Sequence, residues 1–405
     1  MSPAVTTSRT VRALPRFAWL PAAAVLLGAG WGSNQFTPML LVYHDQLGLG
    51  TGTLEAMFGV YALGLIPGLL LAGQVSDARG RRPVVVPAAA LSLLASVALV
   101  AGAHSVPLLF VGRLLAGLSS AAAFSAGTAW LREASLDPWG GGRDGAPARR
   151  AAIAMTVGFA LGPLVAGLLA QWAAAPTVVP YLPHIVLMAA VLGMLRNAPE
   201  TVAGRAGPVV RLSAPGARHP RFRWIVAPMA PWVFAAPAIA FALLPSVVGA
   251  DQATHGIALT AAVTSVTAMA GVLIQPLARS LDARARTTRS ATIGLLVLAA
   301  GLVLGAATVQ SGETWLLVPA AVVLGSAYGL CLVAGLVEIQ RLTSDGALAG
   351  LTAIYYALAY LGFAAPYLFV LASHVAGYSN LLMVAAALAL ATAGVVSPQA
   401  RRLVT

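Results

Sequence analysis

The sequence predicts an all-α integral membrane protein with twelve transmembrane helices in two pseudo-symmetric six-helix bundles. Three observations carry that expectation. Charges are too few to cover a water-facing surface, twelve apolar stretches are long enough to span a bilayer, and the arginines fall in alternate gaps between them. The 405 residues are 59% hydrophobic and 9% charged, with mean hydropathy +0.86, whereas a soluble domain carries about 25% charged residues. Lipid must therefore be the solvent for most of the chain.

A helix needs about 20 mainly apolar residues to cross the hydrocarbon layer. Such stretches run near 17–43, 53–75, 84–103, 106–131, 150–172, 177–195, 224–249, 257–279, 290–309, 314–337, 347–372 and 375–396. The first follows Arg9, Arg12 and Arg16, a charged start that mimics a signal peptide. It is too long for a typical cleaved apolar region and reads as a retained first helix. The fifth and sixth are separated only by Ala- and Pro-rich sequence around Pro176 and Pro180. The eighth is the most polar, diluted by Thr260, Thr264, Ser265 and Thr267.

All 24 basic residues are arginines, and all but Arg113 lie in gaps on one side once the N-terminus is placed in the cytoplasm. By the positive-inside rule both termini are then cytoplasmic. The net charge of +12 is a topology signal facing an anionic leaflet. No arginine cluster lies on a folded polar domain, so nucleic acid is not an expected partner. The absence of lysine beside abundant Ala, Gly, Pro and Arg points to a GC-rich gene, hence to a bacterial cytoplasmic membrane. It also removes any Gly-x-x-x-x-Gly-Lys nucleotide loop. Cys331 is the single cysteine, which excludes an intramolecular disulfide and a cysteine metal cluster. His44, His104, His184, His255 and His374 scatter over the outer side and read as interfacial polar residues, with no metal or cofactor implied.

The longest polar gap, rich in Pro, Gly and Arg, divides the chain into a first bundle (1–195), a cytoplasmic linker (196–223) and a second bundle (224–405). An internal repeat supports the division. Gly73-Gln-Val-Ser-Asp77-Ala-Arg79-Gly80-Arg81-Arg82 follows the second stretch, and Ala278-Arg-Ser-Leu-Asp282-Ala-Arg284 follows the eighth, shifted by 282 − 77 = 205 residues. Parallel six-helix repeats are one architecture of transporters. In the first copy Gly73 permits close helix approach, and Asp77 is placed to accept hydrogen bonds from a neighbouring helix N-terminus. Gly80 suits a tight turn, and Arg79, Arg81 and Arg82 are available to pair with an acid such as Glu133. Together with Asp282 and Arg284, these residues form a candidate gating latch.

The GQVSDARGRR loop in a twelve-helix chain resembles the signature loop of the major facilitator superfamily. The match is specific in the first half and degraded in the second, where Ala278 and Ala285 replace glycines. The resemblance implies alternating access by two rocking bundles around a central cavity. In the fifth stretch, Gly158-Phe-Ala-Leu-Gly162-Pro163-Leu-Val-Ala166-Gly167 is similar to the antiporter motif of drug:proton exporters, with Ala166 where that motif has a glycine. Independently of any family, Ala154, Gly158, Gly162, Ala166 and Ala170 recur every fourth position and flatten one helix face for close packing. Pro163 removes one backbone donor and can bend the helix.

Arg113 opens Arg113-Leu-Leu-Ala-Gly117-Leu-Ser-Ser120, which resembles the superfamily's coupling motif in the fourth helix. An arginine at membrane depth costs at least ~2.5 kcal/mol on insertion scales, so an aqueous cavity or a partner is expected. Asn34, Gln35 and Tyr61 lie at matched depth. Glu55 and Asp45 lie nearer the outer surface and are the candidate titrating partners of Arg113. Glu338, three residues before Arg341, reads either as a surface ion pair or as a gate carboxylate. Trp31, Tyr61, Phe124, Trp232, Tyr328, Tyr356 and Tyr360 are the candidate cavity aromatics. These residues lead to an expectation of secondary active transport of a small amphipathic or drug-like molecule, proton-coupled and outward-directed, by a monomer. The alternatives are uptake or facilitated diffusion, and then a membrane-embedded enzyme or sensor. The enzyme reading lacks any catalytic constellation at one depth.

Overall fold

The computed structural model describes residues 17–139, 145–202, 215–249, 254–285, 289–342 and 348–402, and all their regular structure is helical. In chain order the spans are α1 (Leu20–Asn34, resumed as Met39–Leu47), α2 (Thr51–Arg79), α3 (Arg82–His104), α4 (Val106–Ser135), α5 (Ala146–Trp172) and α6 (Val179–Leu195). The second half follows as α7 (Phe222–Val247), α8 (Gly256–Asp282), α9 (Arg289–Ser311), α10 (Thr314–Leu342), α11 (Gly350–Ala372) and α12 (Tyr378–Pro398). An even number of crossings puts the start of α1 and the end of α12 on one side, the terminal face. The other side is the opposite face.

The first span differs from its expected continuous form. Pro38 has no N–H to continue the ladder, and the Thr37 N–H bonds Asn34 O at 3.1 Å instead of reaching back to Ser33. The Ser33 carbonyl is thereby released inside the membrane. Elsewhere, α4 carries a wide, five-residue-per-bond turn at Ala123–Gly127. α7 carries two such turns, one at its start (Phe222–Val226) and one at Ile239–Leu243 between Pro237 and Pro245.

Helix pairing has the pattern of an internal two-fold. α1 packs on α5, α2 on α4 and α3 on α4 and α6, while α7 packs on α11, α8 on α10 and α9 on α10 and α12. The halves meet through α5 with α8 and α2 with α11, a pair of contacts that the same operation exchanges. α7 is the most enclosed span, and α5, α11 and α12 are among those turning most surface outward.

Close approach at these crossings depends on missing side chains. A Cβ on Gly117 would strike the Tyr61 carbonyl, and one on Gly158 the Leu27 carbonyl. Gly162 lies against the backbone of Trp31 and Gly325 against that of Thr267. The flat face of α5 is thus filled by α1, with Pro163 buried inside α5, whereas Gly167 faces Ala261 of α8. Gly73 makes no such approach, since its nearest neighbour is Ser125 Cβ at an ordinary 3.8 Å. On α2 the close contacts fall at Gly64 and Gly68.

Gly117→Ala is expected to cost about 1–3 kcal/mol through overpacking, read as a lower melting temperature of the purified protein. Gly193→Ala, which opens onto empty space, is expected to leave melting unchanged or raise it.

Candidate functional site

A cavity of about 240 Å³ lies between the two halves. The first half contributes Ser33, Asn34, Tyr61, Phe124 and Phe159, and the second is dominated by aromatic rings. Phe234 stacks on Tyr360 at 4.1 Å and on Phe363 at 5.3 Å, and Tyr360 continues the stack to Tyr356. Offset stacks of this kind make a rigid flat wall. Among the described residues no charged side chain lines the cavity.

The cavity extends toward the terminal face, where Ala152 of α5, Gln275 of α8 and Leu336 of α10 line it close to their helix ends. Toward the opposite face it is blocked. The Phe58 ring of α2 meets Phe241 of α7 at 6.0 Å and Phe363 of α11 at 5.3 Å. Farther out, the Gln171 amide donates to Thr254 O and accepts from Ala258 N–H. Ser265 of α8 donates to Ala160 O of α5.

Arg113 stands behind this wall and is 1% exposed. Its guanidinium reaches the carbonyls of Met57, Phe58 and Ser33 at 3.3–3.5 Å and lies over the rings of Phe36 and Tyr61 at 4.5 and 4.7 Å. The Ser33 carbonyl is the one released by the break in α1. No carboxylate pairs with Arg113 among the described residues, so the expected Glu55 or Asp45 partnership is absent here. Carbonyl dipoles and π faces, both attractive to a cation, take its place. In front of it Ser33 Oγ, Tyr61 OH and Ser120 Oγ form a hydroxyl cluster at 2.9 and 3.1 Å.

At the terminal face Arg81 holds three residues together. It pairs with Asp77 at 2.6 Å and with both oxygens of Glu133 at 2.7 and 3.1 Å, and it donates to Ser76 Oγ. Burial disfavours the Arg81 cation, but the bonds to Glu133 and Asp77 outweigh it and hold the guanidinium more firmly protonated than usual. Asp77 does not cap a neighbouring helix as expected; its side chain is 66% exposed apart from the Arg81 bond. Glu200 does the capping, accepting from the Arg81 and Arg82 N–H groups at 2.9 Å each where α3 begins. Gly80, at φ +101, leaves room for the Glu200 carboxylate that a Cβ would displace. Thr201 donates to Glu133, and Trp130 Nε1 donates to Pro199 O. Arg82 donates to the Leu195 and Arg196 carbonyls, and Arg79 is exposed.

The second half repeats the device with different partners. Asp282 accepts from the Ser290 N–H at 2.9 Å and from its hydroxyl, capping α9. Glu338 follows Glu133 by the same interval, 338 − 133 = 205. It is fully buried and not a surface pair with Arg341 alone. Arg221 grips both its oxygens at 2.8 and 2.9 Å, and Arg341 adds a bond at 2.9 Å. The Arg284 side chain lies outside the described residues.

Residues 20–366 match the family described as Major Facilitator Superfamily. The chain belongs to that superfamily. It is a multi-pass membrane transporter and not an enzyme. A stretch of 88 residues is 37% identical to Multidrug resistance protein MdtL of Escherichia coli (strain K12 / DH10B) and to that of Shigella boydii serotype 18. The match spans 22% of this chain and 22% of each relative. Solved structures with the same fold include a POT family transporter in complex with 5-aminolevulinic acid (TM-score 0.77, 12% identity, 96% of each chain). Others are a point mutant of the nucleoside transporter NupG (0.72, 13%, 95% of this chain and 99% of that one) and a D-xylose-proton symporter (0.67, 17%, 92% and 97%).

Within this transporter the expected cavity residues divide. Tyr61, Phe124, Tyr328, Tyr356, Tyr360 and Asn34 line the cavity, but Trp31 and Trp232 do not. Trp31 is pressed against α5 at Gly158 and Gly162, and the Trp232 indole donates to Thr392 of α12. Gln35 also points away, donating to Ser96 of α3, which bonds His184. His184 is therefore a buried, bonded residue and not an interfacial one. Asp45 is exposed near the opposite face. The sequence reading missed Phe159, Phe234, Phe241 and Phe363 in the cavity, and Glu200, Thr201 and Arg221 at the terminal face. Phenylalanines carry no polar signal to separate cavity from core, while Glu200 follows a helix end closely enough to have been weighed as a cap.

Removing one partner of a buried ion pair costs about 3–5 kcal/mol because the other charge is left stranded. Glu338→Gln is expected to lose stability on that order in thermal unfolding. Combining it with Arg221→Gln should restore most of the loss, a coupling that additive effects exclude.

Proposed function

We propose that this transporter is a secondary active exporter of small planar, apolar or amphipathic molecules in a bacterial cytoplasmic membrane, driven by protons and working as a monomer. Residues 1–195 and 224–405 act as the rocking bundles, residues 196–223 as the cytoplasmic linker, and the terminal face is cytoplasmic, in keeping with the positive-inside rule. The observation that carries the reading is the aromatic cavity between the halves, blocked toward one face and reaching toward the other. Alternating access needs such a site, placed so that relative motion of the bundles exchanges the open side.

The lining argues for the substrate class. Stacked rings offer flat apolar contact, and their faces tolerate a positive charge. Asn34, Gln275 and the hydroxyls of Ser33 and Tyr61 supply a few hydrogen-bonding groups. Among the described residues the lining offers an anion no cation. The stretch shared with a multidrug resistance protein supports the outward direction. On this reading the Arg81–Glu133–Asp77 cluster and its Glu338 counterpart each brace one half at the cytoplasmic side while the cavity opens there, and the Arg113 motif of α4 supports the cavity wall.

Transport into proteoliposomes with an imposed pH gradient tests this, using a planar aromatic dye as probe. Protein oriented with the terminal face outward should accumulate the dye inside when the interior is acid, and reversing the gradient should stop it. Equilibration without accumulation would identify facilitated diffusion, and opposite movement would identify uptake. Phe234→Ala and Tyr360→Ala should each raise the half-saturating concentration about 2- to 13-fold, as expected for losing a ring contact worth ~0.5–1.5 kcal/mol.

A further inference from the structure

Glu55 is used by none of these contacts. It lies in α2, 1% exposed, and its buried Oε2 has no bonding partner among the described residues. A second cavity of about 30 Å³, room for one water, adjoins it near the opposite face. The walls are Leu40, Leu41 and His44 of α1, Thr51 and Leu54 of α2, and Ser246 of α7. Ser246 belongs to the other half of the molecule, so this enclosure exists only while the halves are joined at the opposite face.

The surroundings identify the ligand. An ionised carboxylate enclosed among leucines, without a counter-charge, is strongly disfavoured. Among the described residues, the charged and titratable groups nearby do not neutralise it. His44 is exposed, with Nδ1 at the Leu49 carbonyl, and Tyr43 is bonded to Tyr181. Asp45 is exposed and would add like charge. On α4 Arg113 is held by three carbonyls. α11 brings Tyr367, which is outside the lining, and α7 brings only the Ser246 hydroxyl. That hydroxyl donates to Leu243 O, which leaves its oxygen as an acceptor.

We propose that Glu55 is a proton-binding site whose occupancy closes the opposite-face gate. As the halves come together, the carboxylate takes one proton from water on that face and is sealed in as the neutral acid. As they separate, it is hydrated and returns the proton to the same side. The proton is not carried across, so the site is a gate lock distinct from the driving ion. Acid on that face holds the cavity open toward the terminal face, and alkali releases the lock. The proposal rests on the alternating-access reading, but its test needs no substrate.

Spin labels on Thr53→Cys and Val375→Cys, exposed residues of opposite halves, report the gate in a Cys331→Ala background in nanodiscs. Moving from mildly acidic to mildly alkaline buffer should lengthen the wild-type distance. Glu55→Gln should keep the short distance throughout, while Glu313→Gln, on an exposed residue of the same face, should respond as wild type. A Glu55→Gln protein that still responds, or a wild type that does not, overturns the proposal. Infrared spectra of the wild type supply a measurement that needs no Glu55 variant. A carboxylic-acid carbonyl band at neutral pH that fades as the gate opens is expected, and its absence overturns the proposal. A pH-responsive gate in a protein that moves no dye would sink the exporter reading alone.

Discussion

A cation inside the hydrocarbon layer must find its partners within the protein, because no lipid tail offers one. Arg113 shows how far that requirement shapes the fold. Its cation needs acceptors, and the break in α1 releases one by diverting the Thr37 N–H to Asn34. The close seating of α2 on α4, possible because Gly117 has no side chain, brings the Met57 and Phe58 carbonyls within reach. The proline in α1, the glycine in α4 and the arginine are therefore one arrangement. The hydroxyl cluster of Ser33, Tyr61 and Ser120 is the face that arrangement presents toward the cavity.

Much of the architecture was legible because it follows from solvent. Twelve apolar lengths and an alternating arginine pattern are consequences of lipid, and they appear in the spans with ends shifted by a few residues. The 205-residue repeat pointed to paired halves, and the helix contacts follow the corresponding exchange. Less legible was anything set by which residues meet across the chain. The spacing of Glu338 and Arg341 suggested a local surface pair, while its bidentate partner Arg221 comes from 117 residues away. Trp31 and Trp232 looked like cavity residues by depth alone, but depth does not say which way a helix is turned.

The segment between α6 and α7 illustrates the same limit. Its Pro, Gly and Arg content reads as a passive connection. Its first residues nevertheless complete the cluster of the first half, through Glu200 on the α3 N-terminus and Thr201 on Glu133. Arg221, at its far end, supplies the buried counter-charge of the second half. Each bundle therefore borrows polar groups from the segment that joins it to the other.

The two clusters occupy equivalent positions but differ in their access to water. In the first half the acids are 66% and 30% exposed, while Glu338 in the second is 0% exposed. Dissolved ions screen charges they can approach and leave sealed ones nearly untouched. The duplicated device is thus responsive to ionic strength in one half and insulated from it in the other, so two copies of one internal repeat answer differently to dissolved salt.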